Sequence, residues 1–113
     1  MCKALMTAIA IVTLGACASV RPVSPERLRA SEQAVQNATS TGADRDPDGA
    51  KYLATARSQL AEGKKLSGSG EPARAEKVLE RAEVDARLAS AVARENASKA
   101  DLKQTAEMLK QLQ

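Results

Sequence analysis

The chain has 113 residues, with 17 Lys and Arg against 14 Asp and Glu, no His, Trp or Phe, a single Tyr and two Cys. That length permits one small domain, and the missing imidazole excludes His-containing zinc sites, Ser-His-Asp triads and Cys-His pairs. A net charge of +3 spread over interleaved acidic and basic residues is not the basic stripe of a nucleic-acid binder, and there is no aromatic platform for stacking single-stranded bases.

The N-terminal stretch carries one positive charge at Lys3, an apolar run from Ala4 to Leu14, and then Gly15, Ala16 and Cys17. This is the architecture of an export signal. The run is about half of the roughly 20 residues that a helix needs to cross a bilayer, so a permanent span fails on length. Leu14-Gly15-Ala16-Cys17 resembles a bacterial lipobox. Its chemistry explains the residue types: a cysteine thiolate attacks at near-neutral pH where a serine hydroxyl would not, and small residues before it let a peptidase reach the backbone. The resemblance implies that residues 1–16 are removed, that Cys17 carries the lipid, and that no free thiol remains once Cys2 has gone. It also implies three acyl chains as the membrane anchor, held at about 0.8 kcal/mol per buried methylene. Ala18 and Ser19 follow the cysteine in place of the Asp that retains such lipoproteins at the inner membrane, which implies an address on the outer membrane, facing the periplasm.

Beyond a lipidated tether of residues 17–24, the expected domain is an Ala-rich, all-α unit over residues 25–113. From Cys17 onward there are 19 Ala and only 17 Leu, Val, Met or Tyr. Alanine loses no side-chain entropy on entering a helix and leaves little bulk for a thick core, so thin, elongated helical packing is expected.

Ser24-Pro25 supplies a cap followed by proline at the first helical position. Leu28, Ser31 or Ala34, Val35 and Ala38 form the apolar side of this first helix, and Gly42 and the threonines of residues 39–43 end it. Asp46-Pro47 repeats the signal and opens a second helix to about Leu66, with Leu53, Ala56, Leu60 and Gly63 on one side and Tyr52 beside them. Residues 67–70 (SGSG) break it. From Pro72 onward neither Pro nor Gly recurs, so a third helix can run to the end of the chain, about 60 Å at 1.5 Å per residue. Along it Ala75, Leu79, Ala82, Ala86, Ala89, Ala93, Asn96 and Ala100 alternate spacings of four and three, the spacing of heptads, with Val78, Leu88 and Val92 widening the stripe. After Ala100 the phase moves to Leu102, Thr105, Leu109 and Leu112. The second and third helices should fold back as an antiparallel hairpin over a loop of roughly five residues. The first lies across them, and the end of the third has no partner within the chain.

The spaced alanines, the proline-started second helix, the Gly-containing turn and the segments Glu71-Pro72-Ala73-Arg74-Ala75-Glu76 and Ala82-Glu83-Val84-Asp85-Ala86-Arg87-Leu88-Ala89 resemble a family of small alanine-rich bacterial lipoproteins described as a domain of unknown function. The similarity covers roughly Pro25 to Ala100. The family implies helical structure, in some members ahead of an OmpA-like peptidoglycan-binding domain. This chain is too short to be expected to carry one. Residues 70–82 also look like one tetratricopeptide helix, but no 34-residue period accompanies them.

The functional expectation is a non-enzymatic outer-membrane lipoprotein with no cofactor, presenting its helical hairpin to an envelope protein or to a second copy of itself. No nucleic acid or small-molecule substrate is indicated. The candidate partner face comprises Leu79, Val92, Leu102, Met108, Leu109 and Leu112. The alternative is an envelope spacer in non-covalent contact with peptidoglycan. It resembles the coiled-coil lipoprotein that is joined to the wall through a C-terminal lysine, but Lys110 is followed here by Gln111-Leu112-Gln113. Asp44, Asp46 and Asp48 alternate as calcium ligands do, yet Gly49, Lys51 and Arg57 break the loop pattern of an EF-hand. Helix capping accounts for them, and no metal is expected.

Overall fold

Each of the three helices among the described residues begins with a proline: α1 is Pro25–Ser40, α2 is Pro47–Gly68 and α3 is Pro72–Gln111. Proline is suited to that position because the N–H it lacks would have no intrahelical acceptor there. The computed structural model describes residues 21–113. Among the described residues the chain is all-helical, with no strand. The leader, the lipobox residues Leu14, Gly15, Ala16 and Cys17, and the tether as far as residue 20 lie outside the described residues.

Two of the helix ends are closed in the same way. Gly42 (φ 86) follows α1 and Gly70 (φ 79) follows α2. These left-handed positions cost glycine little because it has no Cβ. They turn the chain so that the N–H of Ala43 donates to the carbonyl of Ala38 and that of Glu71 to the carbonyl of Leu66, each at 3.0 Å. That is the six-to-one bond of a Schellman closure. Ser67 and Gly68 remain helical, so the link between α2 and α3 is three residues, Ser69 to Glu71, shorter than the five expected from the SGSG stretch.

The bonds between helices fix their directions. Gly63 of α2 meets Leu79 of α3 while Asp46, before α2, meets Asn96, so α2 and α3 are antiparallel. The N–H of Ser24 donates to Glu76 at 2.9 Å and Arg27 pairs with Glu83 at 3.0 Å, so α1 ascends alongside α3. Against α2 it is antiparallel, with Glu32 paired to Lys64 at 2.7 Å and Thr39 accepting from Arg57 at 3.0 Å. The result is an up-down-up three-helix bundle. Ser24 occupies the cap position of α1, but its side chain makes no capping bond. It is the backbone of Ser24 that ties the start of α1 to α3.

The core is a seam of small side chains. Ala75, Ala82, Ala86 and Ala89 of α3 are wholly buried, and among the described residues the large side chains completely removed from solvent are Leu53 and Leu79. Leu53 and the half-buried Leu60 of α2 belong to a cluster with Ala34, Val35 and Ala38 of α1 and Ala86, Ala89 and Ala93 of α3. At the other end the sizes are exchanged, and Leu79 of α3 packs on Gly63 of α2. A Cβ built on Gly63 would stand 2.5 Å from Leu79 Cδ2 and 2.6 Å from its Cγ. Ser31 completes the contact from α1. It is fully buried, and its hydroxyl lies 2.8 Å from the carbonyl oxygens of Arg27 and of Leu79, which share its one hydrogen.

Leu79 was expected on the partner face, and the structure corrects this: it is 0% exposed and is the bulk that fills the Gly63 gap. Val92, from the same expected face, is only partly exposed.

Gly63→Ala is expected to destabilise the bundle by about 1–3 kcal/mol through overpacking, despite a gain in helix propensity of roughly 0.5–1 kcal/mol. Gly68→Ala, where nothing lies within 4 Å of the added carbon, should be neutral or stabilising by up to about 1 kcal/mol. Thermal unfolding of the two variants measures the contrast, and equal midpoints would show that Leu79 does not depend on the missing Cβ.

Candidate functional site

The bundle has a definite upper limit on α3. Asp46 caps α2, one carboxylate oxygen accepting from the N–H of Gly49 at 2.7 Å, and the other accepts from the Asn96 side-chain amide at 3.0 Å. Asn96 is the last α3 residue that is not fully exposed. The polar residue in the heptad seam thus serves as the tie between α3 and the cap of α2. These two bonds, from the Gly49 backbone first and from Asn96 second, hold the Asp46 carboxyl below the usual carboxylate value.

Above Asn96, every residue from Ala97 to Gln113 is exposed, although α3 continues to Gln111. This extension reaches about 20 Å past the bundle. Ala100, in phase with the buried seam, is exposed among the described residues. The extension carries four large apolar side chains: Leu102 is 70% exposed, Leu109 57%, Leu112 84% and Met108 50%. Four such residues on one free helical segment are an unpaid hydration cost unless another surface covers them.

The structure shows that this apolar face does not start at Leu102. Counting back from Leu112 with alternate steps of three and four gives Leu109, Thr105, Leu102, Ser98, Glu95, Ala91, Leu88 and Val84. This second heptad register lies about half a turn round α3 from the Ala75–Ala93 seam. Val84 is 58% exposed and Leu88 39%, so both belong to the outer register and Leu88 does not widen the inner one. The outer register is thus borne partly by the bundle and partly by the extension. Its flanks carry Arg94 and Asp101, neither of which forms an ion pair within the described residues.

The clefts between helices are shallow and lined by charged ends, such as the one formed by Gln59, Lys77, Glu80, Arg81, Val84 and Asp85. Among the described residues no three Asp, Glu, His or Cys converge as a metal site would require, Asp46 being engaged as above and Asp48 paired with Lys51 at 3.2 Å. No described helix is long and apolar enough to cross a membrane.

A family model described as a domain of unknown function, DUF4398, matches residues 26–105. The chain belongs to this family. The DUF4398 match takes in all three helices and ends within the α3 extension, after Leu102 and before Met108. No curated protein and no solved structure matches the chain.

Two outcomes follow for this end of the DUF4398 bundle. The lowered Asp46 value means that the native state favours the ionised carboxylate. That stabilisation is complete above the unfolded-state value near pH 4 and is lost as pH falls through the lower native value. Asp46→Asn, which keeps the cap, should therefore remove part of the acid sensitivity of the unfolding midpoint below about pH 4. A pH–stability profile identical to wild type would show that the carboxylate has no such role. Leu102→Glu combined with Leu109→Glu should leave the unfolding free energy of dilute protein within about 0.5 kcal/mol of wild type, because neither side chain is buried in the core. A larger loss would place them in the fold.

Proposed function

We propose that this protein is an outer-membrane lipoprotein, anchored through Cys17 and facing the periplasm, whose bundle carries the free end of α3 as a contact surface for another protein chain of the envelope. The observation that carries the reading is the exposure of Leu102, Met108, Leu109 and Leu112 on a helix whose bundle is complete without them. The Leu14-Gly15-Ala16-Cys17 motif supports the anchor, and the lack of any residue of Asp type at positions 18 and 19 supports the address. The role requires no catalysis. The bundle needs only to be stiff enough to hold α3 at a fixed distance from its tether, and the Schellman closures, the Asp46–Asn96 tie and the three inter-helix polar contacts of α1 with α3 favour that stiffness.

Metabolic labelling with a fatty-acid probe, comparing wild type with Cys17→Ser and followed by separation of inner and outer membranes, tests the anchor and the address together. Label on the wild type that is lost in the variant, and sediments with the outer membrane, is the expected result. An unlabelled wild type, or its release into osmotic-shock fluid, would overturn the proposal.

A further inference from the structure

We propose that the outer register of α3 pairs with the same register of a second copy, the two helices antiparallel, with Arg94 of each copy beside Asp101 of the other. The inference rests on reading α3 as a contact surface and names its occupant; it does not rest on the lipid anchor. The composition of the register selects this arrangement. Its apolar residues are at the ends, Val84 and Leu88 on the bundle and Leu102, Leu109 and Leu112 on the extension, while its middle is Ala91, Glu95 and Ser98. An antiparallel pair brings the extension of one copy onto the bundle-borne end of the other, Leu109 on Val84 and Leu102 on Ala91. It also sets Glu95 against Ser98, where a hydroxyl can donate to the carboxylate.

Charge excludes the other direction. In a parallel pair with the same register, Glu95 would face Glu95, and Arg94 of each copy would flank Lys99 of the other, three like-charge contacts at the centre of the seam. In the antiparallel pair the flanking positions match like with like, which puts Arg94 and Asp101 together twice by symmetry. Both side chains are exposed and have no ion-pair partner within the described residues. Access is also open, because Val84, Leu88, Ala91 and Arg94 are all exposed, with Val84 bordering α2 at Gln59 and Arg94 bordering α1 at Asn37. A two-fold pair of this kind is isologous and closes on itself, so it does not propagate into filaments. It also covers Leu102 and Leu109 of both extensions without any other chain.

The test uses the full chain in cells, with a photo-crosslinking amino acid in place of the exposed Leu102 and analysis of tryptic fragments by mass spectrometry. The expected product is a dimer in which position 102 is joined to the Leu88–Arg94 fragment of the second copy. Asp101→Arg should lower its yield about tenfold, as expected for two exposed ion pairs turned repulsive, and the exchange Arg94→Asp with Asp101→Arg should restore it. A link between the two positions 102 would overturn the antiparallel arrangement. Links only to other proteins would overturn self-pairing while leaving the proposed contact role of α3 standing, and the lack of any crosslinked product would overturn both.

Discussion

The seating of Leu79 over the missing Cβ of Gly63 sets the distance at which α2 and α3 approach, and most of the architecture follows from that distance. Helices this close need a small side chain opposite each large one, which is why the alanines of α3 lie where Leu53 and Leu60 of α2 are packed. The same closeness brings Ser31 of α1 within hydrogen-bonding reach of the Leu79 carbonyl. A bundle made in this way gains little from any one side chain, since burying an alanine methyl is worth far less than the roughly 1.5–3 kcal/mol of a buried leucine. Polar ties compensate at the margins: Glu76 on the backbone of Ser24, Glu83 between Arg27 and Arg87, and Asp46 between Gly49 and Asn96.

A thin seam also divides α3 into two parts. Below Asn96 its inner face is committed to α1 and α2. Above Asn96 the helix continues with no neighbour among the described residues, and its apolar residues change sides. Continuing the inner register would have placed further small residues at 103 and 107, but Lys103 and Glu107 stand there. The large residues instead follow the outer register, which already runs along the bundle from Val84. One helix therefore carries a folding surface and a contact surface, half a turn apart, overlapping for about three turns.

Much of this was legible in the sequence. The three proline starts, the two glycine stops and the alternating alanines of α3 give the helices, their order and the antiparallel hairpin, because each signal is local: a missing N–H, a left-handed backbone, a spacing of 3.5. The phase change after Ala100 was legible for the same reason. What the pattern leaves out is depth. Leu79 reads as an exposed anchor because nothing in a one-dimensional spacing shows that Gly63, sixteen positions earlier, leaves a gap for it. Leu88 reads as core because it adjoins the alanine stripe, whereas its own register, through Ala91, Glu95 and Ser98 to Leu102, is interrupted by polar residues that hide it. The tie between Asp46 and Asn96 was likewise invisible, since a cap and a seam asparagine fifty residues apart each have a sufficient local explanation.

The division of α3 at Asn96 is the claim on which the functional reading depends, and amide hydrogen exchange on dilute protein tests it most directly. Slow exchange through the Ala75–Ala93 segment, giving way to exchange about a hundredfold faster beyond Asn96, is what the division predicts. Uniform protection through to Gln111 in dilute protein would mean that the end of the helix is held by the fold itself, and would contradict the account.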